Sequence, residues 1–285
     1  MKFHHSVALT VLVGGVVLSM LLYLTVLVRP KTKAPVEEVL LCDYAHRGLH
    51  DGQIPENSLA AFARACEAGV GIELDVRLSR DGVVMVFHDE TLLRMTGEEG
   101  KLSGLDRARL QTLTLGESEE TIPTLEEVLR LVDGRVPLLV ELKGKSPNAA
   151  LCKAVGELLE TYEGPYCLES FNPLLLRGLR KRLPKAPCGL LYTNVCRDKK
   201  RYSPAHLAVA SMSLNFLARP QFIACNQADR DSLPVRIAAD LYGVPRFLWT
   251  VDTEEALRKA HERGENAIFE HLPSTAIDET STKKP

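Results

Sequence analysis

Cysteine pairs are missing from this sequence of 285 residues. Its seven cysteines are scattered, odd in number and without a C-x-x-C pair. That pattern excludes a cysteine-based zinc site and a disulfide framework as the basis of the fold. We expect most of these thiols to be small, reduced residues of the core.

An excess of charge of either sign is also missing. The 35 Lys and Arg residues nearly balance the 37 Asp and Glu residues, for a formal net charge of -2. Nucleic acid is usually bound by a strongly basic surface, so we expect no nucleic-acid partner. Any anionic substrate must therefore be held by a local group of residues.

Charged residues are absent altogether from Ser6 to Val28, a stretch of 23 residues. At the rise of an α-helix this length spans the hydrocarbon core of a bilayer. A cleaved signal peptide would have a shorter apolar region and a small-x-small exit, whereas this stretch ends in Val26-Leu27-Val28-Arg29-Pro30. We therefore predict a single-pass transmembrane anchor over residues 1–28, followed by a linker over residues 29–38.

The charges that flank this anchor predict its orientation. Lys2 and the amino terminus lie on one side, whereas Arg29, Lys31 and Lys33 lie on the other. Because the more positive flank stays in the cytoplasm, we expect the catalytic domain on the cytoplasmic side of the membrane.

After the linker, apolar runs of strand length alternate with longer amphipathic segments. Eight such runs predict a closed (β/α)8 TIM barrel over residues 39–273. The predicted strands are Val39–Ala45, Gly71–Leu78, Pro137–Leu142, Tyr166–Ser170, Cys188–Tyr192, Phe222–Cys225, Arg246–Val251 and Asn266–Phe269. The predicted helices are Ser58–Ala68, Leu125–Leu131, Ala149–Tyr162, Leu174–Arg182, Leu233–Tyr242 and Thr253–Arg263, with Asn57, Thr124 and Thr253 as helix caps.

Two segments depart from this alternation. Val83–His88 reads as an additional strand after the second barrel strand, and a small polar insertion at about residues 90–123 follows it. The tail at residues 274–285 is predicted to be disordered.

Titratable residues collect at the carboxyl ends of the first strands, where a TIM barrel places its functional groups. Strand one ends in His46 and Arg47, strand two carries Glu73 and Asp75, the additional strand ends in His88, and strand three ends in Glu141 and Lys143. Residues two apart on a strand face the same side, so three carboxylates should converge at the barrel mouth. Of the other histidines, His4 and His5 flank the anchor, whereas His50, His206, His261 and His271 lack such neighbours and are expected at the surface.

Three converging carboxylates favour a metal site. Crowded acids repel one another, whereas a hard divalent cation accepts all of them as oxygen ligands. The sequence therefore favours one Mg²⁺ or Ca²⁺ ion and leaves the choice between them open.

Two histidines beside such a cation suggest phosphoester chemistry, with His46 and His88 moving protons while Arg47 and Lys143 neutralise phosphoryl oxygens. Taken singly each residue is more often structural, but such a set on adjacent strands favours a site.

Six motifs carry a resemblance to the glycerophosphodiester phosphodiesterase family. They are Ala45-His46-Arg47-Gly48, Pro55-Glu56-Asn57-Ser58, Glu73-Leu74-Asp75-Val76, Phe87-His88-Asp89, Ile122-Pro123-Thr124-Leu125-Glu126-Glu127 and Val140-Glu141-Leu142-Lys143, and the similarity extends over residues 44–273. The resemblance implies a (β/α)8 barrel with an insertion after the second strand. It also implies His46 and His88 as general acid and base, Glu73, Asp75 and Glu141 as metal ligands, and Arg47 and Lys143 as phosphate-binding residues.

The resemblance also implies supporting residues. Glu56 and Asn57 would orient the site, and Phe171 and Trp249 would pack on the glycerol or alcohol moiety, although packing of the barrel mouth explains these two aromatic residues equally well. One departure from the family pattern is the segment Ala267–Pro273, where much of the family has a Thr-Asp pair.

The expected reaction converts a glycerophosphodiester to sn-glycerol 3-phosphate and an alcohol. Because the anchor would bring the site to a bilayer, one alternative is cleavage of a lysophospholipid headgroup in the manner of a phospholipase D. Another is a membrane-tethered binding domain that has lost catalysis, against which the intact set of acids and histidines argues.

Overall fold

The computed structural model describes residues 2–30, 36–144, 148–200 and 202–273. Nine strands form one sheet that closes on itself. They are β1 (Tyr44–Ala45), β2 (Gly71–Leu78), β3 (Val84–Val86), β4 (Leu138–Leu142), β5 (Tyr166–Ser170), β6 (Cys188–Tyr192), β7 (Phe222–Asn226), β8 (Arg246–Val251) and β9 (Asn266–Phe269).

The eight strands other than β3 are all parallel, and the barrel closes where β1 pairs with both β2 and β9. Tyr44 lies opposite Gly71 on one side and opposite Ile268 on the other. β3 is antiparallel to the end of β2, where Val76 pairs with Val86. The predicted (β/α)8 barrel with an additional strand is therefore confirmed.

The described helices are α1 (Lys2–Leu22), α2 (Leu59–Ala68), α3 (Leu93–Thr96), α4 (Arg107–Leu110), α5 (Leu125–Val132), α6 (Ala149–Leu159), α7 (Pro173–Arg182), α8 (Val195–Lys199), α9 (Pro204–Ala210), α10 (Asn215–Ala218), α11 (Leu233–Arg236) and α12 (Glu254–Glu262). Short 3-10 helices lie at Glu38–Leu40, Leu102–Gly104 and Gln227–Asp229, and π-helices lie at Tyr23–Leu27 and Ile237–Leu241. The predicted helix Leu233–Tyr242 is thus α-helical only in its first turn.

Two predictions of local structure are wrong. The run Val39–Ala45 is a strand only at Tyr44–Ala45, because Glu38–Leu40 forms a 3-10 helix whose Leu40 carbonyl accepts a hydrogen bond from the buried Tyr44 hydroxyl. Asn57 does not cap α2; Ser58 does, by accepting a hydrogen bond from the Ala61 amide.

The other two predicted caps are present. Thr124 and Glu127 form a capping box at α5, and the Thr253 hydroxyl accepts a hydrogen bond from the Ala256 amide at α12.

The barrel interior is a packed apolar core rather than a pore. Buried side chains from six of the eight parallel strands pack together there: Tyr44, Leu139, Cys167, Phe222, Phe247 and Ile268. The Phe222 and Phe247 rings stack at 4.6 Å between centroids. This core fills the end of the barrel at which the strands begin, whereas the buried carboxylates Glu73, Asp75, Glu141 and Glu169 lie farther toward the carboxyl ends of the strands.

The segment between β3 and α5 has a small core of its own. Its buried residues are Met85, Phe87, Leu92, Leu102, Leu110, Leu113, Leu115 and Ile122. These side chains pack the segment against the end of β3, which places its first helix, α3, beside the carboxyl ends of the barrel strands.

One described helix is long and apolar enough to cross a membrane, and its apolar part runs from Leu9 to Leu27. A signal sequence has the same character at this position. The predicted tail at residues 274–285 and half of the predicted linker, residues 31–35, lie outside the described residues.

Candidate active site

Three carboxylates lie together at the carboxyl ends of β2 and β4. Glu73 and Asp75 point inward from β2, and the strand register sets Asp75 opposite Glu141 of β4. All three residues are buried, and one oxygen from each lies within 4.8 Å of the others. This all-oxygen donor set is the kind that Mg²⁺ and Ca²⁺ prefer.

The electrostatics of this cluster fit a divalent cation. Burial and then the neighbouring carboxylates raise the pKa of Glu73 well above its ordinary value. Burial also raises the pKa of Glu141 to about 7, even though Lys143 favours its charged form. Additional positive charge at this point would restore both groups to their ionised state.

Lys143 and Arg47 supply part of that positive charge. The Lys143 ammonium lies 2.6 Å from Glu141 Oε2 and 3.0 Å from Asp75 Oδ1, and Arg47 Nε lies 3.3 Å from Asp75 Oδ2. Burial opposes ionisation of Asp75, but Lys143 and Arg47 hold the pKa of Asp75 below its ordinary value.

Arg47 lies in the turn after β1, and hydrogen bonds to two carboxylates fix its position. Arg47 has a left-handed backbone with φ of 56°, and its amide donates a hydrogen bond to Glu73 Oε2 at 2.9 Å. Its guanidinium donates to Glu56 Oε1 at 2.9 Å. Asn57 acts on the acid cluster directly, because its side-chain amide donates to Asp75 Oδ2 at 2.8 Å.

Each candidate histidine forms a hydrogen bond with a carboxylate through its Nδ1 atom. His46 Nδ1 lies 2.8 Å from Glu270 Oε2, and His88 Nδ1 lies 2.6 Å from Asp89 Oδ1. An ionised carboxylate only accepts hydrogen bonds, so each Nδ1 carries the proton. The neutral ring then presents an unprotonated Nε2, which is the form that accepts a proton. Burial lowers the pKa of His88 and so favours this neutral form.

Both histidines line one cavity of about 120 Å³ together with Arg47, Glu73, Glu141 and Lys143. Phe171 and Trp249 line its other side with their rings edge to face, 5.6 Å between centroids. The Trp249 indole donates to the Ala224 carbonyl at 2.9 Å, so the ring offers the cavity only its apolar surface. A groove of about 510 Å³ adjoins this cavity and shares Glu141, Lys143 and Phe171 with it.

Four residues of the site were not predicted from the sequence: Glu270, Asp89, Arg94 and Glu169. Glu270 directly follows β9, so the rule that selected residues at strand ends would have found it. Asp89 belongs to the Phe87-His88-Asp89 motif, for which the resemblance implies a role only at His88. Arg94 of α3 donates hydrogen bonds to both Glu56 and Asp89, a long-range contact without a local signal. Glu169 is buried opposite Glu141 on β5 and lines the cavity.

A closed (β/α)8 barrel with a carboxylate cluster, two cationic side chains and two histidines at its strand ends defines a class of enzyme: a TIM-barrel hydrolase for an anionic ester. Comparison with known proteins gives the family. Residues 46–275 match the model of the glycerophosphoryl diester phosphodiesterase family. The chain belongs to this family, which places it among the phosphodiester hydrolases.

Individual relatives agree with this assignment. The chain is 33% identical over 249 residues to a glycerophosphodiester phosphodiesterase of Caldanaerobacter subterraneus, covering 82% of this chain and 95% of the relative. It is 27% identical over 246 residues to a putative glycerophosphodiester phosphodiesterase of Bacillus subtilis, covering 82% and 95%.

Two solved structures show the same architecture. A phosphodiesterase of Oleispira antarctica, solved in complex with the product sn-glycerol-3-phosphate, superposes with a TM-score of 0.71 at 26% identity, over 86% of this chain and 98% of that one. A glycerophosphodiester phosphodiesterase of Thermotoga maritima gives 0.64 at 27% identity, over 85% and 96%.

Proposed function

We propose that this chain hydrolyses glycerophosphodiesters to sn-glycerol 3-phosphate and an alcohol, with one divalent cation and two histidines. The observation that carries the proposal is a single cavity lined by both histidines and by two of the three clustered carboxylates. Family membership and the product bound to the Oleispira antarctica relative support the choice of substrate.

The cation belongs with Glu73, Asp75 and Glu141. Their buried oxygens offer it a hard, anionic site, which supports Mg²⁺ or Ca²⁺ over softer metals. When bound, the ion supplies Lewis-acid stabilisation of charge on the phosphoryl oxygens. Glu56 and Asn57 support this group, because they hold Arg47 and Asp75 in place.

Arg47 and Lys143 bind the phosphate. Each is cationic, borders the cavity and already lies against the acid cluster, so a phosphoryl group there meets positive charge from two sides. Phe171 and Trp249 give the glycerol or alcohol moiety an apolar wall.

His46 and His88 move the protons. One histidine accepts a proton from the attacking oxygen through Nε2, and the other donates a proton to the leaving alcohol. The attacking oxygen is that of water or of the substrate's own glycerol hydroxyl. Glu270 and Asp89 keep the rings in the required tautomer and orientation.

We further propose that α1 anchors the chain in a membrane, with the barrel on the cytoplasmic side. The positive charges at Arg29, Lys31 and Lys33 support the orientation, and contacts between the end of the apolar helix and the barrel support an uncleaved anchor. Tyr23 Oη donates to the Ser211 carbonyl at 2.8 Å, and Asn215 Nδ2 donates to the Val28 carbonyl at 2.8 Å. These contacts would hold the barrel close to the bilayer and favour a second candidate substrate, a lysophospholipid cleaved at its headgroup.

A comparison of glycerophosphocholine with lysophosphatidylcholine tests the choice of substrate. We expect faster release of choline from glycerophosphocholine at matched concentrations, with sn-glycerol 3-phosphate as the second product. Preference for lysophosphatidylcholine in detergent or vesicles would instead support the lipid substrate. No turnover of either diester with Mg²⁺ or Ca²⁺ would contradict the proposed function.

A further inference from the structure

A second group of metal-ligand side chains lies beside the candidate active site. His50, Glu270 and His271 each offer one ligand atom, and these atoms lie within 4.8 Å of one another. His50 follows β1 in the same turn as His46, whereas Glu270 and His271 follow β9. The group thus spans the two strands at which the barrel closes.

His50 is not the surface residue that the sequence suggested. Its side chain is only 11% exposed, and among the described residues its Nε2 atom is buried without a hydrogen-bond partner. This nitrogen lies 3.8 Å from Glu270 Oε2, beyond hydrogen-bonding distance. A buried polar atom left unpaired lowers stability, and a ligand between the two atoms would offset this cost.

His271 is the third member of this group and the one that is exposed to solvent. Its ring stands edge-on to that of His50, with 5.1 Å between centroids. All three side chains line one cavity of about 290 Å³, which is ample for an ion with a bound water. Arg64 also lines this cavity, but its guanidinium is paired with Asp51.

We propose that His50, Glu270 and His271 form a zinc site distinct from the carboxylate cluster. Two imidazole nitrogens and one carboxylate, with a fourth position open to water, are a donor set that Zn²⁺ prefers. The carboxylate cluster has only oxygen donors and suits a harder ion. The two sites therefore differ in the ion that each selects.

The shared residue makes this site regulatory. Glu270 Oε2 also lies 2.8 Å from His46 Nδ1, so zinc and His46 compete for one carboxylate. When zinc binds the Glu270 carboxylate, this carboxylate no longer orients His46. Turnover therefore falls as zinc occupancy rises. This second step rests on the proposed role of His46.

Zinc binding to the full-length enzyme tests the site directly. Four proteins are compared: the wild type, His50→Asn, His271→Gln and His206→Gln. Each is titrated with Zn²⁺ in a calorimeter in the presence of excess Mg²⁺. Absorption spectroscopy of the Co²⁺-loaded proteins then reports on the ligands. His206, in α9, is outside the cluster and serves as the matched control. His271 is exposed and the His50 side chain is only 11% exposed, so the His271 variant is expected to fold even if the His50 variant does not.

We expect the wild type and His206→Gln to bind one more equivalent of zinc than the two cluster variants, or to bind it at least about tenfold more tightly. The visible Co²⁺ bands of nitrogen ligation should weaken in parallel. Equal zinc binding by wild type, control and cluster variants would overturn the site.

Inhibition tests the link to His46 separately. Zinc should inhibit turnover of glycerophosphocholine by the wild type, and the inhibition constant should rise at least about tenfold in His271→Gln. Unchanged inhibition in a variant that has lost the additional zinc would overturn the link. An inactive wild type would count against the proposed function, while the binding comparison would still decide the site.

Discussion

The side chains around Lys143 leave a net negative charge that fits the proposed divalent cation. Three carboxylates, Glu73, Asp75 and Glu141, face two cationic side chains, Lys143 and Arg47, which leaves one formal negative charge. A phosphodiester substrate would add a second. A divalent ion held by the three carboxylates would balance both charges and would supply Lewis-acid stabilisation of the phosphoryl group.

The division of work between the two histidines can be measured. We expect His46→Ala and His88→Ala each to lower kcat for glycerophosphocholine by at least about 100-fold, whereas His206→Gln retains normal turnover. Circular dichroism checks that each variant is folded. Near-normal turnover by either alanine variant would contradict its assignment.

Bis-p-nitrophenyl phosphate then separates the acid from the base. Its leaving group is stable as an anion and needs no proton, so the variant that lacks the general acid should lose much less activity on it than on glycerophosphocholine. The variant that lacks the general base should lose activity on both substrates. Equal losses on the two substrates for both variants would contradict a general-acid role for either histidine.

The cysteines give a prediction that does not depend on catalysis. Burial raises the pKa of Cys42 and of Cys225 to about 12, and it raises that of Cys167 well above its ordinary value. These thiols stay protonated and shielded at pH 8, so a thiol reagent such as DTNB should label few cysteines in the native enzyme. All seven should react in denaturant. Fast labelling of Cys42, Cys167 or Cys225 without unfolding would contradict this packing.

Residue types and spacing alone predicted which carboxylates of the candidate site lie together, because residues two apart on a strand must share a face. This rule brought Glu73 and Asp75 together, and parallel pairing added Glu141. The partners on Nδ1 of the histidines escaped prediction for a different reason. Glu270 stands at the end of the strand that closes the barrel beside β1, so its strand position could be predicted, but its contact with His46 Nδ1 depends on side-chain positions that a linear pattern does not give.

Gly189 of β6 leaves room for the Phe222 side chain in the barrel interior. A Cβ atom at Gly189 would lie 2.0 Å from the Phe222 ring of the neighbouring strand. We expect Gly189→Ala to lower the free energy of unfolding by about 1–3 kcal/mol through overpacking. Gly104→Ala is the matched control, because nothing lies within 4 Å of its Cβ position, and it should change stability by less than about 1 kcal/mol. Equal unfolding midpoints for the two variants in urea would contradict this packing.

The strands were easier to predict than the ends of the barrel. Five predicted strands, those of β2, β5, β6, β8 and β9, coincide with the observed bounds, because buried parallel strands are continuous apolar runs. The apolar run before β1 has another role: Val36 and Leu40 pack into the lower barrel core from a 3-10 helix and the residues before it. Apolar character alone does not distinguish a strand from a non-strand segment that packs into the end of the barrel.

For the whole molecule, the position of the apolar helix relative to the barrel is the main open prediction. The Tyr242 hydroxyl donates to the Leu24 carbonyl at 2.5 Å, and Val28 is completely buried. An uncleaved helix held by such contacts should keep the full-length chain in the membrane fraction after carbonate extraction. Its intact mass should include residues 1–28. A soluble product that begins after this segment would show a cleaved signal sequence instead.

Release of sn-glycerol 3-phosphate from glycerophosphocholine by the chelator-treated enzyme tests the proposed mechanism most directly. We expect EDTA to abolish release and either Mg²⁺ or Ca²⁺ to restore it, while Glu73→Gln and Glu141→Gln stay inactive at ion concentrations that saturate the wild type. Release that continues after complete removal of divalent ions, or that persists in both variants, would contradict a metal-dependent site at these carboxylates.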